Sequence, residues 1–221
     1  EAAGGAKISF LCTPNNPTGT VTPARDIREI LEGIEGLLFL DNAYVEFCDA
    51  DYLPLLKDHE NLVIGRTMSK AYALAGARVG YAFVPAWVLP YYRRASTPFA
   101  LNSVSAQAAI GALADRERME AYVRHVRIGR ERFSRECGVP VAPSGANFIM
   151  ADVSPWTGDA MAEVLASRGV LVRSCRSFSG LPDHYIRVSI GSEWENELFL
   201  KEIGEIKAAH PADFGSCKGS P

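Results

Sequence analysis

One lysine, Lys70, stands in a setting that suits covalent chemistry with a carbonyl compound. It follows an apolar stretch, Leu62–Gly65, that is typical of a β-strand, and two small hydroxyl residues, Thr67 and Ser69, come just before it. A fixed cation, Arg78, follows it in the chain. An amine forms an imine with an aldehyde, while hydroxyl and guanidinium groups bind phosphate. The run from Thr67 to Arg78 therefore predicts a site for a cofactor that carries both an aldehyde and a phosphate.

Three further segments carry polar residues at or near the ends of predicted strands. Pro14-Asn-Asn-Pro-Thr-Gly19 follows the apolar segment Lys7–Cys12, and Asp41-Asn-Ala-Tyr44 begins where the apolar segment Leu37–Asp41 ends. The third is Arg187-Val-Ser-Ile-Gly191. Open α/β sheets bind ligands beyond the carboxyl ends of their strands. We therefore expect these segments to serve the same site as the lysine.

The apolar segments that must position these residues alternate with helical patterns. A helix is expected from Pro23 to Gly36, with Thr22 as its N-cap. The predicted strands are Lys7–Cys12, Leu37–Asp41, Leu62–Gly65 and Val79–Val84. Continuous apolar strands separated by helices predict an α/β fold with a mainly parallel sheet that is covered on both faces.

The remainder of the chain is predicted to be a smaller α+β domain that is reached through a long helix. Asp115–Cys137 is amphipathic and long enough to link two domains. Beyond it, the predicted strands are Asn147–Ala151, Val170–Arg173 and Tyr185–Ile190, and the predicted helices cover about 156–168 and 193–208. We therefore predict a large domain over 1–114, a linking helix over 115–137, a small domain over 138–208 and a loose tail over 209–221.

Composition and charge argue against several classes of partner and site. The 221 residues are 48% hydrophobic with a formal net charge of −3, which favours neither nucleic acid nor an anionic membrane surface as partner. The histidines and cysteines show no His-x-x-x-His or Cys-x-x-Cys spacing, so we expect no metal site, and reduced thiols in the cytoplasm. No apolar run approaches the roughly 20 residues of a membrane span. Because Glu1 is followed so soon by a strand, we expect a further N-terminal portion.

At these motifs the chain resembles the fold-type I pyridoxal-phosphate enzymes, specifically the class I/II aminotransferases. The resemblance covers about Lys7 to Ile206 and includes the four segments in their expected order. It implies a three-layer α/β/α large domain, a small C-terminal α+β domain, pyridoxal 5′-phosphate as cofactor and a homodimer. The N-terminal arm, the Gly-rich phosphate turn and the stacking aromatic of such enzymes would precede the matched region.

The resemblance assigns a role to each residue of the cofactor site. Lys70 resembles the lysine that forms an imine with the cofactor and later carries a proton between substrate and cofactor. Asp41 resembles the acid that keeps the pyridine nitrogen protonated, so that the ring accepts electrons. Tyr44 and Asn16 resemble the two donors to the ring 3′ oxygen. The residues that resemble phosphate ligands are Thr67, Ser69 and Arg78.

Two arginines of the predicted small domain resemble substrate ligands. Arg187 resembles the arginine that binds the substrate α-carboxylate in a bidentate pair. Arg173 resembles the residue that binds the substrate's own phosphate in histidinol-phosphate aminotransferases. Arg176 is expected to be ordinary surface charge.

The stretch Gly169–Gly191 bears on the substrate, because it resembles both histidinol-phosphate aminotransferases and threonine-phosphate decarboxylases of cobalamin biosynthesis. Within it, Arg173–Phe178 favours the decarboxylases or archaeal aminotransferases, whereas the ending Ser189–Asn196 favours the aminotransferases. The favoured interpretation is amino-group transfer between L-histidinol phosphate and 2-oxoglutarate, in histidine biosynthesis. Decarboxylation of a phosphorylated amino acid and a non-catalytic, cofactor-binding sensor module stay open as alternatives.

Overall fold

The computed structural model describes residues 5–211, and the chain divides into two compact units. The first unit comprises residues 5–16 and 20–124 of the described part, and the second comprises residues 17–19 and 125–211. Residues 212–221 of the predicted tail lie outside the described residues, as does Cys217. The predicted domain boundaries stay a prediction.

The first unit is built on a four-stranded sheet that confirms the predicted mainly parallel arrangement. Its strands lie side by side in chain order; β1, β2 and β3 are parallel, and β4 is antiparallel to β3. The strands are β1 (Ile8–Cys12), β2 (Leu37–Asp41), β3 (Leu62–Thr67) and β4 (Gly80–Phe83). The helices are α1 (Ala24–Gly33), α2 (Leu89–Ala95), α3 (Ser103–Ala114) and α4 (Arg116–Glu136), the last of which contains the division between the units.

The start of α1 differs from the prediction. Pro23, not Thr22, is the N-cap residue, and no side chain caps the helix. The backbone of Thr22 is used elsewhere: its N–H donates to the hydroxyl of Thr13 at 2.9 Å, and its carbonyl accepts from the hydroxyl of Tyr52 at 2.7 Å. The prediction of a Thr22 cap was therefore wrong because these longer-range hydrogen bonds fix the residue outside the helix.

The core of the first unit lies between α1 and one face of the sheet. Ile27 and Leu31 of α1 are buried against the alternate strand residues Leu38, Leu40 and Ile64, which point to that face. Each such side chain contributes about 1.5–3 kcal/mol when it is fully removed from water. The opposite face is more open, with Phe10 exposed over 75% of its surface beside the ring of Phe39, at a centroid separation of 5.4 Å.

The tip of the Phe39 ring lies against Gly65 of β3, which makes a side chain at this position costly. A Cβ atom on Gly65 would approach the Phe39 ring to 2.6 Å, so Gly65→Ala is expected to destabilise the protein by about 1–3 kcal/mol through overpacking. Urea unfolding measures this loss. The control is Gly111→Ala in α3, where an added Cβ meets nothing within 4 Å and helix propensity favours alanine by about 1 kcal/mol. Equal unfolding midpoints for the two variants would contradict the prediction.

The second unit contains a four-stranded antiparallel sheet with helices, which confirms the predicted α+β class. The strand order is β5-β6-β8-β7. The strands are β5 (Val141–Ala142), β6 (Phe148–Asp152), β7 (Arg173–Ser174) and β8 (Tyr185–Ser189), and the further helices are α5 (Gly158–Ser167) and α6 (Glu193–Ala209).

The predicted strand Val170–Arg173 begins later than expected. Gly169 adopts a left-handed φ of 86°, and the N–H of Val170 donates to the carbonyl of Leu165 at 2.9 Å. These residues therefore form the capping turn that follows α5, and the chain joins the sheet only at Arg173. Within residues 5–211, no helix combines the length and apolar character that are needed to cross a membrane.

Candidate active site

The carboxyl ends of the parallel strands bring most of the predicted cofactor residues to one edge of the first sheet. Cys12 pairs with Asp41 and Asp41 with Gly65, so β1, β2 and β3 end close together. β4 runs the other way, and its first residue, Gly80, pairs with Thr67. The segments after the three parallel strands and the segment before β4 therefore lie at the same edge, where ligands of such sheets bind.

Asp41 ends β2 with its carboxylate held in one orientation. The N–H of Ala43 donates to the Oδ1 atom of Asp41 at 3.0 Å. Cys12 pairs with Asp41 across β1 and β2, and the pKa of its thiol is raised first by burial and then by the negative charge of Asp41. A backbone hydrogen bond from Asn16 to the same thiol acts in the opposite direction on that pKa. The structure thus brings the predicted residues Asp41 and Asn16 close to the same half-buried thiol.

Lys70 and Tyr44 are also brought together. The Nζ atom of Lys70 lies 5.4 Å from the centroid of the Tyr44 ring, within the range of a cation–π contact. Tyr44 is only 7% exposed, and Lys70 is partly buried. A primary amine therefore stands over an aromatic phenol at the same sheet edge as the Asp41 carboxylate.

Thr67 and Ser69 form a small group of hydroxyls just before the lysine. Their oxygens are 2.9 Å apart, and the N–H of Ser69 donates to Thr67 Oγ1 at 3.1 Å. Arg78 lies at the same edge, two positions before β4, with a left-handed φ of 56°. Its Nη1 atom donates to the carbonyl of Ala75 at 3.1 Å, and no described contact joins its side chain to the two hydroxyls.

Glu46, a partly buried acid whose charge acts on the turn that carries Lys70, was not singled out by the sequence. It follows Tyr44 by two residues, and both of its carboxylate oxygens are buried without a hydrogen-bond partner among the described residues. Burial raises the pKa of Glu46, and the nearby charge of Arg66 partly offsets this rise. The charge of Glu46 also contributes to the raised pKa of Tyr72, after burial and the charge of Tyr81. The charge of Glu46 therefore acts on the turn that carries Lys70.

A hydrogen-bond network next to Asp41, formed by Asn42, Thr13 and Tyr52, was also not predicted from the sequence. The side-chain amide of Asn42 donates to the carbonyl of Thr13 at 2.8 Å, and the Thr13 hydroxyl lies 3.1 Å from that of Tyr52. Asn42 and Thr13 are fully buried. The only sequence signal for Asn42 was its place after Asp41, because its partner is distant in the chain.

The two predicted substrate arginines lie in the second unit, directly opposite each other. Arg173 of β7 pairs with Arg187 of β8 in the antiparallel register, so both side chains belong to one face of the sheet. The guanidinium carbon of Arg187 is 5.0 Å from the Phe148 ring centroid. Arg173 lies 5.4 Å from the ring centroid of Phe178. Two like charges directly across a strand pair are unfavourable on their own, and an anion between them would offset this repulsion.

Further contacts distinguish Arg176 from this pair. Its Nη1 atom is 2.9 Å from the carboxylate of Asp159, and both side chains are largely exposed. The pKa of Asp159 is lowered by a hydrogen bond from Ser174 and by the bond from Arg176. By contrast, burial raises the pKa of the Cys175 thiol, and the charges of Arg187 and Arg173 only partly offset this rise. Arg176 is thus engaged in an ion pair with Asp159, whereas Arg173 and Arg187 both act electrostatically on the Cys175 thiol.

Comparison with known proteins identifies the family. The sequence profile for "Aminotransferase class I and II" matches residues 1–203. The histidinol-phosphate aminotransferase of Methanoculleus marisnigri is 63% identical over 206 residues, which cover 93% of this chain and 58% of that protein. The chain therefore spans about three fifths of the length of this curated relative.

Two solved structures have the same fold over most of the chain. The histidinol-phosphate aminotransferase of Sinorhizobium meliloti, in complex with pyridoxal-5′-phosphate, is 29% identical with a TM-score of 0.82, over 92% of this chain and 58% of that one. The L-threonine-O-3-phosphate decarboxylase of Porphyromonas gingivalis is 26% identical with a TM-score of 0.78, over 91% of this chain and 65% of that one. The predicted resemblance and fold class are confirmed, and the chain belongs to the aminotransferase class I and II family.

Proposed function

We propose that this protein is a pyridoxal-phosphate-dependent aminotransferase that moves an amino group between L-histidinol phosphate and 2-oxoglutarate. This would place it among the transferases of histidine biosynthesis. The observation that carries the proposal is the amine of Lys70, 5.4 Å from the ring of Tyr44 at the sheet edge where Asp41 ends its strand. The name of the relative that is 63% identical supports the choice of substrate.

The residues at the sheet edge fit pyridoxal phosphate by their chemistry. Lys70 offers an amine for the aldehyde and Asp41 a carboxylate for the ring nitrogen. The adjacent hydroxyls of Thr67 and Ser69, 2.9 Å apart, suit phosphate oxygens. Tyr44 and Asn16 are assigned to the ring 3′ oxygen, and Arg78 to the phosphate.

Each of these residues has a distinct task in the proposed reaction. When bound, pyridoxal phosphate supplies an electron sink for the bond that breaks at the substrate Cα. The Lys70 amine would hold the cofactor through its aldehyde and, once the substrate has displaced it, would carry the proton to and from the substrate Cα. Asp41 would hold a proton on the ring nitrogen, and the Ala43 N–H keeps the Oδ1 atom of Asp41 in place, at 3.0 Å. Tyr44 would donate a hydrogen bond to the 3′ oxygen.

The two cross-strand arginines are proposed to bind the anionic ends of the substrate. Arg187 would take the α-carboxylate of the 2-oxo acid and its amino-acid product in a bidentate pair. Arg173 would take the phosphate of L-histidinol phosphate. Their direct pairing in β7 and β8 supports a shared anion site.

A coupled assay with both phosphorylated substrates tests the proposal. We expect glutamate to form from 2-oxoglutarate when L-histidinol phosphate is the donor, and no carbon dioxide to form from L-threonine O-3-phosphate. Carbon dioxide release without amino-group transfer would favour the decarboxylase. Cofactor binding with neither reaction would favour a sensor module.

We further infer a cytoplasmic homodimer that binds neither nucleic acid nor membranes. The inference is supported by the class of biosynthetic relatives and by the formal net charge of −3. Size-exclusion chromatography with light scattering tests the dimer, and a monomer at micromolar concentration would contradict it.

A further inference from the structure

We propose that Asn42 is a positioning residue that fixes the Asp41 carboxylate relative to the turn that carries Asn16. It would not touch the cofactor, but it would set where the acid meets the ring nitrogen. This inference rests on the proposed function, in which Asp41 and Asn16 are cofactor ligands.

Asn42 joins the ends of all three parallel strands. Its side-chain Nδ2 atom donates to the Thr13 carbonyl, just after β1, at 2.8 Å. Its backbone N–H donates to the carbonyl of Gly65 in β3 at 2.9 Å, and its own carbonyl accepts from Val45 at 3.2 Å. Asn42 is 0% exposed, so water does not compete for these bonds. One buried residue thus spaces β1, β2 and β3 at the edge where the cofactor residues gather.

The acceptor of the Asn42 amide is itself held in place. The Thr13 N–H donates to the carbonyl of Asp41 at 3.0 Å, and the Thr13 hydroxyl accepts from the N–H of Thr22 at 2.9 Å. The hydroxyl of Tyr52 lies 3.1 Å from that of Thr13 and donates to Thr22 at 2.7 Å. Thr13 is therefore a fixed point, and it begins the turn that leads to Asn16.

Stability alone gives little reason for an amide at this position. The Nδ2 atom gains one hydrogen bond, but the Oδ1 atom of Asn42 is buried without a partner among the described residues. A satisfied bond and an unsatisfied buried oxygen have opposing effects on folding. The amide is instead suited to fix geometry, and a misplacement of about 1 Å in an active site lowers rates by about 10²-fold.

The test compares Asn42→Leu with a matched asparagine in the holoenzyme. The control is Asn61→Leu, since Asn61 lies just before the start of β3, at the other end of that strand, and makes a similar side-chain bond to the carbonyl of Leu31 at 3.0 Å. The readouts are the pH midpoint of the bound cofactor's absorption change, the rate of cofactor release, kcat, and the Tm of the cofactor-free protein.

For Asn42→Leu we expect the midpoint to move by about half a pH unit or more, and cofactor release to accelerate about tenfold. We expect kcat to fall about tenfold or more. We expect Asn42→Leu and Asn61→Leu to lower the Tm by similar amounts. Asn61→Leu should, however, leave the pH midpoint and the rate of cofactor release unchanged. Asn42→Ala, which is small enough for water to reach Thr13, is a second variant that should show the same midpoint shift.

Equal spectral and release behaviour in the Asn42 and Asn61 variants would overturn the positioning role, even if both lost stability. An unmodified protein that binds no pyridoxal phosphate would overturn the proposed function itself, and this inference with it. A midpoint shift confined to the Asn42 variants would support the proposal.

Discussion

Replacement of Lys70 with alanine is expected to lower turnover by about 10³-fold or more while the fold is retained. The variant would lose both the covalent attachment of the cofactor and the amine that transfers the proton at the substrate Cα. A positioned acid–base group alone contributes about 10²–10⁴-fold to the rate. Lys70 is only partly buried and contacts the Tyr44 ring at 5.4 Å, so its truncation removes little packing. Steady-state kinetics with L-histidinol phosphate and 2-oxoglutarate measure the effect.

The control for this variant is Lys57→Ala, because Lys57 is exposed in the first unit and lies outside the strand-end segments. It should retain the activity of the unmodified protein. Lys70→Ala with a kcat within tenfold of that of the control would contradict the assignment, provided that both variants have the same Tm.

Replacement of Arg187 with methionine is expected to lower kcat/KM by about 10²-fold or more for 2-oxoglutarate and, in the reverse reaction, for glutamate. Charge-assisted hydrogen bonds contribute about 1.5–3 kcal/mol each, and a bidentate pair supplies two. Stability should not fall in proportion, because Arg187 lies directly opposite Arg173 and their like charges repel. Kinetics and thermal unfolding on the same preparations separate the two effects.

Arg176→Met is the matched control for the arginine series. Arg176 forms an exposed ion pair with Asp159 at 2.9 Å, and such pairs contribute about 0–1 kcal/mol to stability. Its removal should change kcat/KM by less than a few fold. If Arg176→Met lost as much kcat/KM as Arg187→Met, the substrate arginine would have been misassigned. Arg187→Lys should recover little activity, because lysine lacks the planar fork.

The candidate site residues at the strand ends could be predicted because each one ends or closely follows an apolar run that marks a strand. Asp41 closes an apolar run, and Lys70 follows one closely, so parallel pairing of β2 and β3 was enough to bring both residues to one edge. The Lys70–Tyr44 contact then follows from short connections after each strand. These features depend on nearby residues and on a general rule for parallel sheets.

Features that depend on distant residues were not predictable. The prediction of Thr22 as the N-cap failed because its backbone forms hydrogen bonds with the hydroxyls of Thr13 and Tyr52, which lie outside the helix. The side-chain hydrogen bond of Asn42 could not be predicted for the same reason, since its amide donates to the carbonyl of Thr13, 29 positions earlier. Hydrophobic periodicity depends only on residues that are close in sequence, whereas buried hydrogen bonds join residues that are close in space.

The cross-strand position of Arg173 and Arg187 also emerged only from the structure. Both residues were predicted separately, but their register depends on where β7 begins, and the sequence placed that strand too early. Gly169 and Val170 fold back onto the last turn of α5, which delays the strand until Arg173. The register then sets the two guanidinium groups on the same face.

The most direct test of the central claim is to locate the cofactor on the chain. The protein is incubated with pyridoxal phosphate, reduced with borohydride, digested and analysed by mass spectrometry. We predict a single phosphopyridoxyl group on the peptide that contains Lys70, and none in Lys70→Ala. A label on another lysine, or no label at all, would contradict the assignment of Lys70 as the residue that binds the cofactor.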